Sequence, residues 1–284
     1  MRDLGVVARR EIYVAGRGEH GGGSRLHGRR GTDLVLRVPI GTIVLWKTEG
    51  EGWEIREDLV IAGQRGCIAR GGRGGLGNAR FASATRQAPR VAEHGTPGEE
   101  HVVRLVFKVL CDVAIVGLPN VGKSSLLAAL TGARPKVAAY PYTTQEPQVG
   151  VMTSGFSSFT LVDLPPLGDS GRAGPGLAFL QHAERAKVLL HVLDAASADP
   201  EADMAAVNAE LTRYGQGLAE KEQAVVINKL DLPEALERLA EMRERLLEKG
   251  IEALAVSAVT GEGVADLKAR LAAILERYQR AASQ

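Results

Sequence analysis

Gly117, Gly122, Lys123 and Ser124 stand in the order G-x-x-x-x-G-K-S within GLPNVGKSSLL, a set of types and spacings able to hold a chain of phosphates. Glycine lets the backbone wrap an anion so closely that its N–H groups, and the start of the following helix, point at the negative charge. Lysine at this place reaches the β- and γ-phosphates as a point charge, and the serine hydroxyl can sit on Mg²⁺. The intervening and following residues Pro119, Asn120, Val121 and Ser125 are expected to line the same phosphates.

A second group of residues suits a base rather than a phosphate. In Asn228-Lys229-Leu230-Asp231 the Asp231 carboxylate can accept from N1–H and the exocyclic amine of guanine together, a donor pair that adenine lacks. Ser257 and Ala258, in SAVTGEG, form a short segment expected to close over the base carbonyl. Between the two groups lie Thr143 and Thr144, of which Thr144 is the first choice for a hydroxyl on Mg²⁺ and an N–H on the γ-phosphate. Asp163, ending FTLVD, is expected to hold Mg²⁺ through a water.

Such residues act together only if regular elements hold them. The apolar run Val113 to Val116 enters the phosphate loop, and SSLLAALTG leaves it with helical spacing that stops at Gly132. Further on, FTLVD, KVLLHVLDA, AVVINKLD and ALAVSAVTGEG alternate apolar strands with helical patterns, which predicts a parallel-rich sheet covered by helices, with the chemistry on the loops that follow the strands. The last helix, VADLKARLAAILERYQ, presents Val264, Leu267, Leu271, Ile274, Leu275 and Tyr278 as the face that packs on that sheet.

The 284 residues suit two domains, 1–108 and 109–284. Their charges differ: residues 1–108 carry 18 Lys and Arg against 12 Asp and Glu, whereas the remainder carries 17 against 22. From Val60 to Ala92 there are six arginines (Arg65, Arg70, Arg73, Arg80, Arg86 and Arg90) and no acid, a glycine-threaded run suited to phosphates. No stretch approaches the roughly 20 apolar residues of a membrane span and no leader is evident, so a cytoplasmic protein is expected. The two cysteines, Cys67 and Cys111, sit in apolar segments and are expected to be buried and reduced. His182 and His191 read as structural, and Trp46 and Trp53 as packing residues rather than stacking platforms.

With these motifs in view, the chain resembles the Obg family of GTPases. The resemblance runs through GLPNVGKSS, YPYTT, the DLPPL region, GLAFLQHAERAKVLLHVLDA, NKLD and the VSA turn. Upstream, GEHGGGSRLHGRRGTDLVLRVPIGTIV and ARGGRGGLGNARFASATRQAPRVAEHGTPGEE resemble that family's glycine-rich N-terminal domain. It implies a Ras-like α/β P-loop domain with a mixed, mostly parallel sheet, preceded by a shortened β and polyproline-II domain, with no further domain at the C-terminus. It also implies a GTP-hydrolysing switch, slow in turnover, with Mg²⁺ as cofactor and the large ribosomal subunit and its RNA as partner. Lys123 and Thr144 are then candidate catalytic residues, with Asn120, which in related GTPases holds a potassium ion able to supply the charge of an arginine finger. A monomer is expected.

One position departs from the family pattern, and the one after it agrees with the family's apolar residue but not with Ras-like enzymes. The family's D-x-P-G reads Asp163-Leu164-Pro165-Pro166 here, and proline has no N–H to give a γ-phosphate. Leu167 follows, where Ras-like enzymes keep a glutamine that orients the attacking water. Both favour a second function, a guanine-nucleotide sensor that reads GTP, GDP or guanosine tetraphosphate and binds ribosome or RNA with little or no hydrolysis.

Overall fold

The computed structural model describes residues 4–19, 30–74, 94–132, 136–137, 148–167 and 180–281. The chain divides into two compact units, Met1–Phe107 and Lys108–Gln284.

In the first unit a short helix α1 (Gly5–Ala8) precedes an antiparallel sheet of β1 (Thr42–Lys47), β2 (Trp53–Leu59) and β3 (Val103–Phe107), in the order β2-β1-β3. Its tryptophans serve packing, as expected. Trp46 stacks on the His101 ring at 4.0 Å with Arg56 4.6 Å from its centre, and Arg104 lies 4.2 Å from the centre of Trp53. Elsewhere in this unit, glycine brings backbones into direct contact. A Cβ on Gly31 would lie 1.9 Å from Gly16 O, and one on Gly72 would lie 1.8 Å from Thr96 O. Arg70 and Arg73 are held there by their backbones, their N–H groups donating to Glu99 Oε2 (2.9 Å) and Thr96 Oγ1 (2.8 Å). Their side chains and that of Arg65 are exposed; Arg80, Arg86 and Arg90 lie outside the described residues. Cys67 corrects the sequence reading. It is exposed, because the segment after β2 lies on the surface, whereas Cys111 is buried as expected.

The second unit is built on β4 (Val113–Val116), β5 (Lys136–Val137), β6 (Gln148–Ser154), β7 (Ser157–Asp163), β8 (Val188–Asp194), β9 (Glu222–Asn228) and β10 (Ala253–Ala255). Their order is β10-β9-β8-β4-β7-β6-β5, parallel from β10 to β7 and antiparallel beyond. The four apolar residues of β4 are all fully buried, as suits a central strand covered on both faces. Helix α2 (Lys123–Thr131) places Leu126, Leu127 and Leu130 on one face of the sheet. Helix α5 (Val264–Ala281) joins it there through Val264, Leu267, Leu271 and Leu275, the face read from the sequence. On the other face, α3 (Pro200–Tyr214) contributes Met204, and α4 (Pro233–Glu248) contributes Ala235, Met242 and Leu246. Among the described residues no helix is long and apolar enough to cross a membrane.

This order decides where chemistry can occur. From β4 the chain reaches β7 on one side and β8, then β9, on the other, which makes the C-terminal end of β4 the point where the winding reverses. Crevices form at such points. The opposite end of the sheet is fastened by side chains: Val109 N donates to His182 Nδ1 (3.2 Å), Cys111 Sγ to His182 O (3.4 Å), and Lys108 Nζ to Glu184 Oε2 (2.5 Å). Burial, with the nearby Lys108 charge, pushes His182 down to about 4, Glu184 opposing.

His182 therefore stays neutral in the folded protein at pH values where the unfolded chain, near its ordinary 6.5, takes up a proton. The unfolded state then binds more protons, so stability is full above the ordinary value and falls as pH drops toward the lowered one. His182→Gln should flatten the loss of stability between pH 6.5 and 4.5 by about 1 kcal/mol per pH unit, measured by urea unfolding followed by circular dichroism. Equal slopes for both proteins would contradict the assignment.

Candidate functional site

The loop leaving β4 bends at Gly117, Asn120 and Gly122, with φ of 153°, 60° and 91°. The two glycines are required by more than rotation. A Cβ on Gly117 would meet Val192 O at 2.6 Å, and one on Gly122 would meet Asn228 Nδ2 at 2.4 Å. Gly122 caps α2 without any side-chain bond to the first turn, so the leading N–H groups of that helix are left for an anion. Lys123 reaches back over the loop, and its Nζ donates to Gly117 O (2.9 Å) and Leu118 O (2.8 Å). Burial lowers its pKa, while Asp163 opposes the shift.

Ser124 and Asp163 meet as the sequence suggested. The serine hydroxyl donates to Asp163 Oδ2, and Asp163 Oδ1 is buried with no hydrogen-bond partner. Burial pushes this carboxyl up; the Ser124 bond and the Lys123 charge oppose it. A buried oxygen left unpaired is costly, and a hard cation would satisfy it. The pair therefore fits Mg²⁺, an ion that commonly takes one or two protein oxygens and completes its shell with water and substrate phosphates. Thr143 and Thr144 lie outside the described residues. Gly122, Lys123, Ser124, Asp163 and Leu164 line a cleft of about 470 Å³ together with Asn120, Ser125, Gln148, Pro165 and Pro166. Gln148 carries no motif; it arrives through strand register, opposite Asp163.

The base-directed group is organised by Asn228, which is 2% exposed. Its Nδ2 donates to Val121 O (2.9 Å) and its Oδ1 accepts from Ala258 N (3.0 Å). One amide thus joins the phosphate loop to the turn after β10. Lys229, at φ 74°, pairs with Asp194 Oδ2 at 2.5 Å, an acid that only the parallel register of β8 and β9 reveals. Asp231 is exposed, and its Oδ1 accepts from the buried Ser257 hydroxyl (2.6 Å), whose oxygen also accepts from Thr260 N (3.1 Å). This arrangement orients a carboxylate outward from a fixed turn.

Neither singled-out histidine is part of the cleft lining. His191 is fully buried on β8, with Nδ1 3.2 Å from Gln223 Oε1, and burial lowers its pKa while that contact opposes.

Residues 1–109 match the family model described as GTP1/OBG, and residues 112–229 match the model described as 50S ribosome-binding GTPase. A protein named GTPase Obg from Desulforudis audaxviator is 47% identical over 282 residues, covering 97% of this chain and 65% of its own length. The protein of that name from Chloroflexus aurantiacus is 47% identical over 268 residues, covering 93% and 61%. That from Bacillus cereus is 46% identical over 270 residues, covering 93% and 62%. The chain thus spans under two thirds of the length of these relatives.

Asn228→Ala would leave Val121 O and Ala258 N without the buried partner that now serves both. The expected loss is about 2 kcal/mol or more of stability, read from denaturant unfolding by circular dichroism. A loss under about 0.5 kcal/mol, the range of ordinary surface substitutions, would show that the two loops are held by other contacts.

Proposed function

The chain belongs to the Obg family, and we propose that it binds GTP with Mg²⁺ in this cleft and hydrolyses it slowly, as a cytoplasmic, monomeric switch acting on the large ribosomal subunit during its assembly. The observation that carries the reading is the pairing of Ser124 with Asp163 beside the uncapped start of α2, on the same loop that Asn228 ties to the base-directed turn. The α2 amides and Lys123 take the phosphates, Lys123 exchanging its two carbonyl acceptors for phosphate oxygens. Ser124 and Asp163, with Thr144, would hold Mg²⁺, which when bound neutralises charge on the transferring phosphoryl group. Asp231, oriented by Ser257, accepts from the two guanine donors, and the Ala258 segment covers the base carbonyl.

Slow turnover follows from the residues after Asp163. Leu167 is fully buried and its N–H donates to Gly117 O at 3.2 Å, so it cannot orient a water. Asn120, on the cleft wall, is the candidate for a potassium ion. The six arginines between Val60 and Ala92 supply charge for ribosomal RNA. The buried Leu167 also supports the second reading, a sensor of GTP, GDP or guanosine tetraphosphate with little hydrolysis.

The test is nucleotide affinity and single-turnover hydrolysis for the chain and for Asp231→Asn, with GTP and with xanthosine triphosphate, whose O2 can accept from the new amide. The unmodified chain should prefer GTP by about 100-fold or more, the worth of two hydrogen bonds to a charged group, and the variant should reverse the preference in favour of xanthosine triphosphate. Undiminished GTP affinity in the variant would remove Asp231 from the site. Turnover should rise in potassium over sodium at equal ionic strength and on adding large subunits. No turnover under any of these conditions would leave the sensor.

A further inference from the structure

Among the described residues that line the cleft, Gln148 is the polar one that belongs to no sequence motif. It opens β6, and the antiparallel register sets it directly across from Asp163. Directly opposite residues of paired strands send their side chains to one face of the sheet, and here that face is the one α2 covers. Asp163 Oδ2 accepts from the hydroxyl of Ser124 in the first turn of α2. Two residues beyond Gln148, a Cβ on Gly150 would lie 2.5 Å from Thr131 Cγ2 and 3.1 Å from Leu127 Cδ1, both on α2, and Met152 joins the α2 leucines in the core. The period of two along β6 therefore carries the row Met152, Gly150, Gln148 from the core to the cleft. Gly150 and Met152 are buried, whereas Gln148 is half-buried at the cleft wall.

A carboxamide combines an acceptor oxygen with two N–H donors and carries no charge. This one is not spent on its cross-strand neighbour, because Asp163 Oδ1 has no hydrogen-bond partner. Mg²⁺ takes few protein oxygens and keeps several waters, and the ligands of a metal are oriented by the polar groups just outside them. We propose that Gln148 is a positioning residue of the Mg²⁺ site: its carboxamide oxygen accepts from ion-bound water while its N–H donates to the Asp163 carboxylate, so that Gln148 sets the affinity for the ion. The proposal rests on the reading of the cleft as the site of a guanine nucleotide with Mg²⁺. Donors for the phosphates come from Lys123 and the α2 amides; what Gln148 adds beside Asp163 is an uncharged group able to accept and donate at once, held by strand register rather than by a loop.

The experiment measures the affinity of the full chain for the β,γ-imido analogue of GTP, from EDTA through rising free Mg²⁺, in the unmodified protein, Gln148→Met and Gln148→Glu. Methionine keeps the length and removes both polar functions, whereas glutamate keeps an acceptor. Gln148→Met should leave the affinity in EDTA unchanged and raise the Mg²⁺ concentration of half effect by about tenfold to 100-fold, the range for loss of a group that orients metal ligands. Gln148→Glu should hold that concentration at or below the unmodified value. A methionine variant weakened equally in EDTA and in Mg²⁺ would mean a direct phosphate contact or a packing role, and would overturn the proposal. So would an unchanged Mg²⁺ dependence in the methionine variant, or the same rise in both variants. An unmodified chain that binds the analogue equally with and without Mg²⁺, or takes the corresponding ATP analogue as well, would overturn the reading of the cleft itself, and with it this proposal.

Discussion

The side-chain amide of Asn228 is the constraint on which the site depends. It is buried, it donates to one loop and accepts from another, and a buried amide with both ends engaged cannot shift without leaving polar groups unpaired. Its position also dictates Gly122, since any side chain there would occupy the space of Nδ2. The first turn of α2 is therefore placed by a residue at the end of β9. The loop after β4 and the turn after β10 are parts of one object, whose spacing is set by the sheet.

A second balance operates on the side proposed to hold the metal. Asp163 and Lys123 are both largely withdrawn from solvent, and burial moves each toward its neutral form while the two charges hold each other back. Such a pair is poised for a ligand that brings negative phosphates to the lysine and a cation to the carboxylate. Binding then replaces an imperfect internal arrangement, Lys123 on two carbonyls and Asp163 with one oxygen unpaired, by a better satisfied one. The nucleotide and the ion are thus expected to stabilise this end of the unit together.

Much of the second unit was legible because its signals are local. The fully apolar VAIV strand, the glycine that stops α2 and the apolar face of α5 each follow from nearest-neighbour spacing. Gln148 and Asp194 were not legible, because strand register brings them beside Asp163 and Lys229 and no local pattern records it. Asn228 was read as part of a base-binding motif; its role as a tie between loops appears only in three dimensions. In the first unit, glycine contributes no periodicity, so the resemblance to a known family carried the reading, and the contact of Gly31 with Gly16 supplies its physical reason. Cys67 was misjudged because apolar neighbours in a chain with few regular elements do not ensure burial.

The central claim is that the phosphate loop and the turn after β10 form one guanine-nucleotide site coupled through Asn228. Amide hydrogen exchange of peptides spanning 117–125 and 256–261 tests it most directly, with Mg²⁺ and either GDP or ADP at equal concentration. The account requires both peptides to gain protection together with GDP and neither to do so with ADP. Protection confined to the phosphate loop, or equal protection by the two nucleotides, would contradict it.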